Sequence, residues 1–248
     1  MFFLKKKEIP LNELFTNDFV DIHSHLLPGI DDGAKDIENS IQLITKMVSY
    51  GIVNFVTTPH VLGDVYPNSS KLILEKLLEV NNELNSRGLS NVSFRAAAEY
   101  MMDKKFLERL AKKDILTLKD NYVLVEMSYF NPPFNLFEIL FDIQLKEYKP
   151  VLAHPERYNF YHADFQMYYK LKKSGCLFQL NLLSLTEQYG KSVQKIANKL
   201  LDEGLYDFVG TDTHHMNHLS LLAKIGNKKN IKKIENLVKN NSILTSPK

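Results

Sequence analysis

Seven runs of apolar, β-branched or aromatic residues alternate with segments of helical periodicity along the chain. The runs, which we predict to be strands, are 19–23, 52–58, 92–98, 122–127, 150–153, 177–182 and 208–211. Apolar residues recur at helical spacing in 37–48, 72–78, 136–143 and 193–201, and Asp36 is a suitable N-cap for the first of these helices. Repeated strand–helix units predict an α/β fold with a parallel sheet and helices outside it, either open and doubly wound or closed. Seven units favour a barrel.

The chain divides into a short leader and one domain. Residues 1–17 precede the first predicted strand and have no strand–helix unit of their own, so we expect a floppy leader or a strap across the barrel bottom. Residues 18–248 are long enough for a single barrel with a full core. Near the C-terminal end, Ile231, Ile234, Leu237 and Val238 fall at helical spacing among lysines, which predicts an amphipathic helix with a solvated basic face.

Charge and composition place the chain among ordinary globular proteins. Lys+Arg 31 against Asp+Glu 29 gives a net charge of +2, which argues against a general dependence on nucleic acid or on an anionic membrane. The apolar start, residues 1–4, is followed at once by lysines and is too short for a signal peptide or a membrane span. The single cysteine, Cys176, lies in an apolar run, which predicts a buried thiol rather than a disulfide. We therefore expect a cytoplasmic protein.

Histidines and acids stand at the ends of six of the seven predicted strands. Because the C-terminal ends of parallel strands meet on one face of a barrel, these side chains are predicted to converge. A His-x-His sequence puts two imidazoles on the same side of an extended segment, and Asp-x-His repeats that geometry. A single His-x-His is also common on protein surfaces, so the number of partners is what favours metal binding. The converging residues are His23, His25, His60, Glu99, Glu126, His154, Asp212 and His214.

These ligand types indicate a catalytic metal site. A set without thiolates disfavours a closed structural zinc site and suits catalytic zinc, manganese or iron, and the number of carboxylates favours manganese. Glu99 could bridge two ions, and water held between ions becomes a strong nucleophile near neutral pH. Asp32, in Asp31-Asp32-Gly33, is either a further ligand or part of a tight acidic turn that opens the first helix.

Arg157 indicates the substrate. It follows His154 by three residues in a His-Pro-Glu-Arg string, and a guanidinium fork matches the oxygens of phosphate. An ion pair with Glu156 or with another neighbouring acid is the alternative. Cys176 is followed six positions later by Leu182 rather than by the arginine of a thiolate phosphatase, and the sequence has no Walker-type glycine loop. Hydrolysis of phosphate monoesters by metal-activated water is therefore the predicted chemistry.

Six motifs resemble the polymerase and histidinol phosphatase (PHP) superfamily, and within it the bacterial manganese-dependent protein tyrosine phosphatases of capsule and exopolysaccharide clusters. They are the segment 21–33 with its His-Ser-His and Pro-Gly-Ile-Asp-Asp-Gly strings, Thr57-Thr58-Pro59-His60, Ala98-Glu99, Glu126-Met127, His154-Pro155-Glu156-Arg157 and Asp212-Thr213-His214. The resemblance implies a distorted seven-stranded β/α barrel with three divalent ions and protein-tyrosine phosphatase activity. It also implies the partner, an autophosphorylating tyrosine kinase that controls polysaccharide export and carries a tyrosine-rich tail.

The resemblance further implies how the ligands are divided. One ion would bind His23, His25, Glu99 and Asp212, a second Glu99, Glu126 and His154, and a third Asp32, His60 and His214. A metal-bridging hydroxide would attack phosphorus in line, with charge on the phosphoryl oxygens stabilised by the ions. The residues to which the resemblance gives a catalytic role are Arg157, which holds the phosphoryl group, Asp212 and His214.

The segment after His214 departs from the family pattern. Relatives often carry a second phosphate-binding arginine there, whereas this chain has no arginine after Arg157. His215 or His218 could replace it, as a phosphate donor or as the acid for the leaving oxygen, or each could be an ordinary surface histidine. The expected substrate-binding residues are thus Arg157, His215 and His218.

Three other functions are compatible with parts of the pattern. A small-molecule phosphatase, for example one acting on histidinol phosphate, would share every ligand and differ in its pocket walls. Residues that could form an apolar rim for a phosphotyrosine ring, or pack among themselves, are Tyr66, Tyr129, Phe130, Pro132 and Pro133. A non-catalytic barrel module would not need so complete a ligand set. A metal amidohydrolase also begins with His-x-His but typically has a lysine at strand four, where this chain has Glu126.

Overall fold

The computed structural model describes residues 10–226 and 228–245. The strands in this part are β1 Val20–Asp21, β2 Asn54–Thr57, β3 His60–Val61, β4 Ser93–Ala96, β5 Glu99–Met101, β6 Tyr122–Glu126, β7 Lys149–Ala153, β8 Leu177–Asn181 and β9 Phe208–Gly210. The helices are α1 Leu11–Leu14, α2 Ile37–Val48, α3 Ser70–Ser86, α4 Lys104–Lys112, α5 Leu136–Leu145, α6 Gln166–Lys173, α7 Lys191–Asp202, α8 Met216–Leu222 and α9 Lys228–Asn240. Short 3-10 helices occupy Pro155–Arg157, Asn159–Tyr161, Leu182–Leu185, Ala223–Gly226 and Asn241–Leu244.

Each of the seven predicted strands is present, but the second and third are each followed by a separate short strand. Between β2 and β3 lies Pro59, which has no N–H to donate to a sheet ladder. Pairing resumes where His60 lies opposite Glu99, so these two residues begin new strand segments, β3 and β5, instead of ending the earlier ones. The sequence placed both residues correctly at the C-terminal end of the barrel but did not show this break between strands.

The strands are parallel and curl until the first and the last meet. Their order is β1-β2-β4 in one array and β3-β5-β6-β7-β8-β9 in the other. Just beyond β1 and β9, the Asp212 N–H donates to the His23 carbonyl over 2.7 Å and the His25 N–H donates to the Thr213 carbonyl over 2.9 Å. These bonds join the two ends of the sheet. The predicted α/β fold with a parallel, barrel-like sheet is confirmed.

Two apolar layers hold the sheet in place. Inside it lie Val20, Ile22, Val56, Leu124 and Val151, together with Leu244 from the C-terminal 3-10 helix. A larger cluster fills the space between the sheet and the helices outside it. This two-layered core is what fixes the strand ends, and with them the side chains of the candidate site.

The four predicted internal helices are confirmed as α2, α3, α5 and α7. In α2, Asp36 is the N-cap and accepts from the Asn39 N–H over 2.8 Å, while Ile41 and Ile44 face the core. The pattern missed α4 and α6 because each buries only two residues, for example Phe106 and Leu110 in α4. Within the described residues, no helix is long and apolar enough to cross a membrane.

The two ends of the described chain pack on the barrel. In the predicted leader, Leu14 and Phe15 are buried, and the turn before β2 lies so close that a Cβ at Gly51, which has a positive φ, would be 2.7 Å from the Phe15 carbonyl oxygen. The predicted amphipathic helix is confirmed as α9, with Ile231, Ile234, Leu237 and Val238 buried. Residues 1–9 lie outside the described residues, and the division into leader 1–17 and domain 18–248 stays a prediction.

Candidate metal centre and phosphate pocket

The two histidine motifs come together because the segments that carry them pair with each other. His23 and His25 follow β1, their rings point to the same side with centroids 5.5 Å apart, and both are fully buried. The paired segment after β9 supplies Asp212 and His214, and the His214 ring stacks on His25 with centroids 3.9 Å apart. Junction of the first and last strands therefore places four predicted ligands in one cluster.

Glu99 lies at the centre of the cluster. Its Oε2 is 3.2 Å from His23 Nε2 and 3.1 Å from His60 Nδ1, and its Oε1 is 3.0 Å from His154 Nε2. Burial alone would raise the pKa of this carboxyl, but the charges of His23 and His60 hold the pKa well below its usual value. Glu99 is therefore an anion surrounded by imidazoles, as a bridging ligand requires.

Four buried atoms in the cluster have no hydrogen-bond partner, although buried polar atoms almost always have one. One is His154 Nδ1, and the other three are His23 Nε2, His25 Nε2 and Glu99 Oε2, which point toward one another. Together these three form one of the groups in which every ligand atom lies within 4.8 Å of the others. Nitrogen and oxygen donors aimed at a common centre fit a divalent cation. These donors therefore have the chemistry and the convergence that a divalent metal site requires.

All nine predicted ligands belong to this cluster, in four overlapping groups. The groups are His25 with Asp32, His60 and His214; His23 with His154 and Asp212; His23 with His25 and Glu99; and His60 with Glu99 and Glu126. Compared with the division that the resemblance implies, His60 instead of His154 accompanies Glu99 and Glu126, and His25 joins the group of Asp32. The residues are those expected, and the grouping differs at these positions.

Two residues that the sequence did not identify orient the histidines. Gln179 Oε1 lies 2.7 Å from His23 Nδ1, and Asp31 Oδ2 lies 2.8 Å from His25 Nδ1. Because both oxygens accept, each Nδ1 carries a proton, and with a cation at the centre each ring would lose its charge and give the lone pair of Nε2 to the metal. Gln179 is on β8, the one predicted strand without a ligand, where an inward-facing amide in an apolar run was the available signal.

The backbone is strained at two candidate ligands. His154 has φ 36° and Asp212 has φ 50°, in the left-handed region that residues with a Cβ rarely adopt. Each stands at the point where the chain turns away from its strand, after β7 and β9. Strain of this kind persists where the surrounding structure enforces it and is concentrated at functional sites.

Arg157 borders the cluster and is held on three sides. Its Nη1 donates to Asp212 Oδ2 over 2.8 Å, and its guanidinium lies 4.7 Å from the Tyr129 ring centroid and 4.1 Å from that of Tyr189. The alternative ion pair with Glu156 is absent from the described contacts, because that carboxylate accepts from the Asn181 N–H and the Tyr206 hydroxyl instead. Arg157 does pair with an acid, but the acid is a candidate metal ligand.

His215 and His218 lie with Arg157 in the same pocket, which has a volume of about 250 Å³. Their ring centroids are 3.9 Å apart. Burial lowers the pKa of His218 to about 4, and its Nδ1 faces the backbone at Asp212 O, 3.1 Å away. The structure thus places both histidines in the pocket that Arg157 lines. In place of a fixed charge they offer uncharged ring nitrogens.

The predicted apolar rim lines a second depression beside this pocket. We call it the side groove. Its apolar and aromatic walls are Leu62, Tyr66, Met101, Met102, Tyr129, Phe130 and Pro133, its polar wall residues are Asp103, Ser128 and Asn131, and Asp32, His60 and Glu126 lie at the metal end. Tyr66 stacks on His60 with ring centroids 5.7 Å apart. Tyr66, Tyr129, Phe130 and Pro133 therefore lie where the rim was expected, and Pro132 belongs to the same loop.

Comparison with known proteins gives one consistent result. Residues 19–243 match the model of the capsular polysaccharide synthesis family CpsB/CapC. The tyrosine-protein phosphatase YwqE of Bacillus subtilis is 31% identical over 79% of this chain and 78% of its own length. The tyrosine-protein phosphatase CpsB of Streptococcus pneumoniae is 29% identical over 79% of this chain and 83% of its own length.

Solved structures agree with the sequence matches. A structure from the work on YwqE of Bacillus subtilis and CpsB of Streptococcus pneumoniae, described as metal-dependent tyrosine phosphatases, superimposes with a TM-score of 0.81 at 28% identity, covering 91% of this chain and 93% of that chain. A lactonase from Listeria monocytogenes has a TM-score of 0.58 at 13% identity, over 96% of this chain and 97% of that chain. The second likeness shows a shared fold alone.

Proposed function

Since this chain belongs to the CpsB/CapC family of capsular polysaccharide synthesis, we propose that it is a metal-dependent phosphatase that acts on tyrosine-phosphorylated proteins. The observation that carries the proposal is the convergence of His23 Nε2, His25 Nε2 and Glu99 Oε2, buried and without partners, beside the guanidinium of Arg157. A cation site next to a phosphate-binding fork is what hydrolysis of a phosphate monoester needs.

The residues that would hold the metal are His23, His25, Asp32, His60, Glu99, Glu126, His154, Asp212 and His214. When bound there, divalent ions would polarise the phosphoryl oxygens and make water nucleophilic near neutral pH. This set has five imidazoles, four carboxylates and no thiolate, which disfavours a structural zinc site and favours a catalytic metal such as manganese. Three ions, with zinc or iron as alternatives to manganese, are part of the proposal.

Arg157 binds the phosphoryl group in this proposal. Tyr129 and Tyr189 limit its side chain from two sides, and the 2.8 Å contact with Asp212 fixes one arm of the fork. The remaining donors are therefore preorganised and face the pocket, which lowers the entropic cost of binding. Asp212 joins the two parts of the site, because it is both a candidate ligand and the carboxylate that orients Arg157. His214, which stacks on His25, completes the proposed catalytic set.

His215 and His218 supply the second side of the phosphate pocket in place of an arginine. Both line the pocket. The His215 ring can donate an N–H to a phosphoryl oxygen or to the leaving oxygen, and His218 can do so from Nε2 when its ring is protonated, because its Nδ1 faces the carbonyl oxygen of Asp212. Uncharged donors bind an anion more weakly than a guanidinium. The proposal therefore includes a weaker hold on phosphate than two arginines would give.

The physiological setting follows the family. We propose a tyrosine kinase of capsule or exopolysaccharide synthesis as the protein whose phosphotyrosines are removed, in the cytoplasm. The buried free thiol of Cys176 is compatible with a reducing compartment. The pocket above the cluster, at about 250 Å³, is small, so most of any protein substrate must lie outside it.

A substrate and metal panel tests the proposal. Purified protein would be assayed on a phosphotyrosine peptide, on histidinol phosphate and on a generic aryl phosphate, with manganese and with chelator. We expect manganese-dependent turnover of the peptide and the aryl phosphate, removed by chelator and restored by added metal. Turnover that survives chelation, or no turnover on any of the three, would contradict it. Faster turnover of histidinol phosphate than of the peptide would favour a small-molecule phosphatase.

A further inference from the structure

The side groove opens directly from the metal pocket. The two depressions share Asp32, His60 and Tyr129 in their walls. The groove has a volume of about 500 Å³, twice that of the pocket, and its other walls are largely apolar. A segment of substrate that extends from the pocket into the groove would contact polar residues at the metal end and then the apolar side chains of Leu62, Met101 and Met102.

A bulky apolar side chain of the groove is exposed to solvent. Phe130, which lines the groove, is 92% exposed, and Phe134, on the same loop between β6 and α5, is 108% exposed. Single exposed apolar residues are common, but aromatic side chains of this size beside a concave site are typical of contact surfaces. Phe137 and Phe141 continue the exposed apolar surface along α5, away from the groove.

We propose that the side groove binds an apolar side chain that flanks the phosphotyrosine in the substrate protein. The inference rests on the proposed phosphatase function and adds a sequence preference to it. The occupant follows from continuity, because the pocket beside Arg157, at about 250 Å³, can hold a phosphorylated aromatic side chain but not the residues on either side of it. A neighbouring side chain that passes over Tyr129, which lines both depressions, enters the groove. Burial of one apolar side chain there favours binding about tenfold.

Variants that test the groove must remove part of its wall without disturbing the core or the metal cluster. Phe130 projects into solvent, so Phe130→Ala removes groove wall without disturbing the core. Leu62→Ala removes apolar surface from another part of the groove wall. The matched control is Phe141→Ala on α5, an equally large truncation of an exposed phenylalanine outside the groove. Tyr66 and Met102 are less suitable, because the first stacks on His60 and the second is buried.

The experiment compares two phosphotyrosine peptides that differ only beside the phosphotyrosine, with leucine on both sides in one and serine in the other. An aryl phosphate is assayed in parallel with manganese. We expect the wild-type protein to prefer the leucine peptide about tenfold in kcat/KM, mainly through KM. Phe130→Ala and Leu62→Ala should each reduce this preference to about threefold or less, while Phe141→Ala should keep it.

Each other outcome has a definite meaning. Equal turnover of both peptides by the wild-type protein overturns the groove assignment and leaves the phosphatase function standing. A preference that survives both groove variants, or is lost equally in Phe141→Ala, overturns it as well. If Phe130→Ala lowers kcat/KM equally for both peptides and for the aryl phosphate, the groove binds the tyrosine ring and the proposal is wrong. Absence of turnover on all substrates rejects the proposed function and the inference with it.

Discussion

The two ends of the barrel interior treat buried polar groups in opposite ways. At the N-terminal ends of the strands, the Asn241 amide accepts from the Val209 N–H over 3.1 Å and donates to the carbonyls of Val20 and Val209 over 2.8 and 2.7 Å. At the C-terminal ends, His23 Nε2, His25 Nε2 and Glu99 Oε2 are equally buried and unpaired. Burial without a partner is costly, and a cation bound where these three atoms converge would supply the missing partner.

The bottom of the barrel, at the N-terminal ends of the strands, therefore serves stability, and the top, at the C-terminal ends, serves function. The bottom of the barrel uses polar groups as closed connections between β1, β9 and the C-terminal 3-10 helix, with Leu244 buried beside them. At the top, the ligand atoms lack hydrogen-bond partners, the backbone is strained at His154 and Asp212, and the substrate pocket is found. Substitutions at the bottom should therefore change folding, and substitutions at the top should change chemistry.

The largest expected effect is at the top, where one acid serves both metal and arginine. Asp212→Asn keeps the shape of the side chain and removes its charge, so it weakens a candidate ligand and the contact to Arg157 together. We expect kcat/KM on an aryl phosphate to fall by about a thousandfold or more, with the melting temperature in chelator nearly unchanged. A mutant that keeps wild-type rates would show that the site is assigned wrongly.

The second effect is at the bottom, where Asn241→Ala leaves one strand N–H and two carbonyls buried without partners. We expect the free energy of unfolding to fall by about 2–4 kcal/mol in urea titration, while kcat/KM per folded molecule stays unchanged. Asn240→Ala is the matched control, since that exposed side chain makes a single 3.2 Å bond to Asp207 O. Equal losses in both variants would mean that the closed connection at the barrel bottom contributes nothing special.

The sequence predicts the convergence of the candidate ligands at the top because their positions follow from the repeated strand–helix pattern. Once parallel strands curl, residues that end them must converge, and His23, His60 and His154 do so despite their separation. The same pattern cannot show that pairing resumes at His60 after Pro59, because the predicted run ends at residue 58 and the two residues of β3 are too few to give a strand pattern of their own. Pairing between β3 and β5 decides this.

Other features depended on contacts that no local pattern contains. Leu244 enters the barrel interior from the far end of the chain, and Gln179 contacts His23 across 156 positions. Tyr189, whose ring covers Arg157, lies in a loop between a 3-10 helix and α7 without any sequence signal. The grouping of ligands is likewise set by side-chain positions within one crowded cluster.

The third prediction tests whether metal binding at the top depends on the hydrogen bond that orients His23. Gln179→Met removes the acceptor from His23 Nδ1 at similar volume, so the ring is free to turn and to change its tautomer. Loss of such an orienting partner lowers metal affinity by about 10- to 100-fold, which a manganese titration against a competing chelator would measure. Gln179→Glu keeps an acceptor oxygen and should restore most of the affinity. If Gln179→Met binds metal as tightly as the wild-type protein, His23 is oriented by packing alone.

The smallest expected effect concerns the geometry of Arg157 instead of its charge. Arg157→Lys keeps one positive charge but loses the planar fork that contacts Asp212 while lying between two tyrosine rings. We expect KM for an aryl phosphate to rise about tenfold, with a smaller change in kcat because the metal cluster is intact. Arg87→Lys, at an exposed arginine paired with Glu38 and Glu83, controls for the exchange itself. An unchanged KM in Arg157→Lys would show that charge alone holds the phosphoryl group. It would then follow that the tyrosine rings and Asp212 do not preorganise the top of the barrel for phosphate.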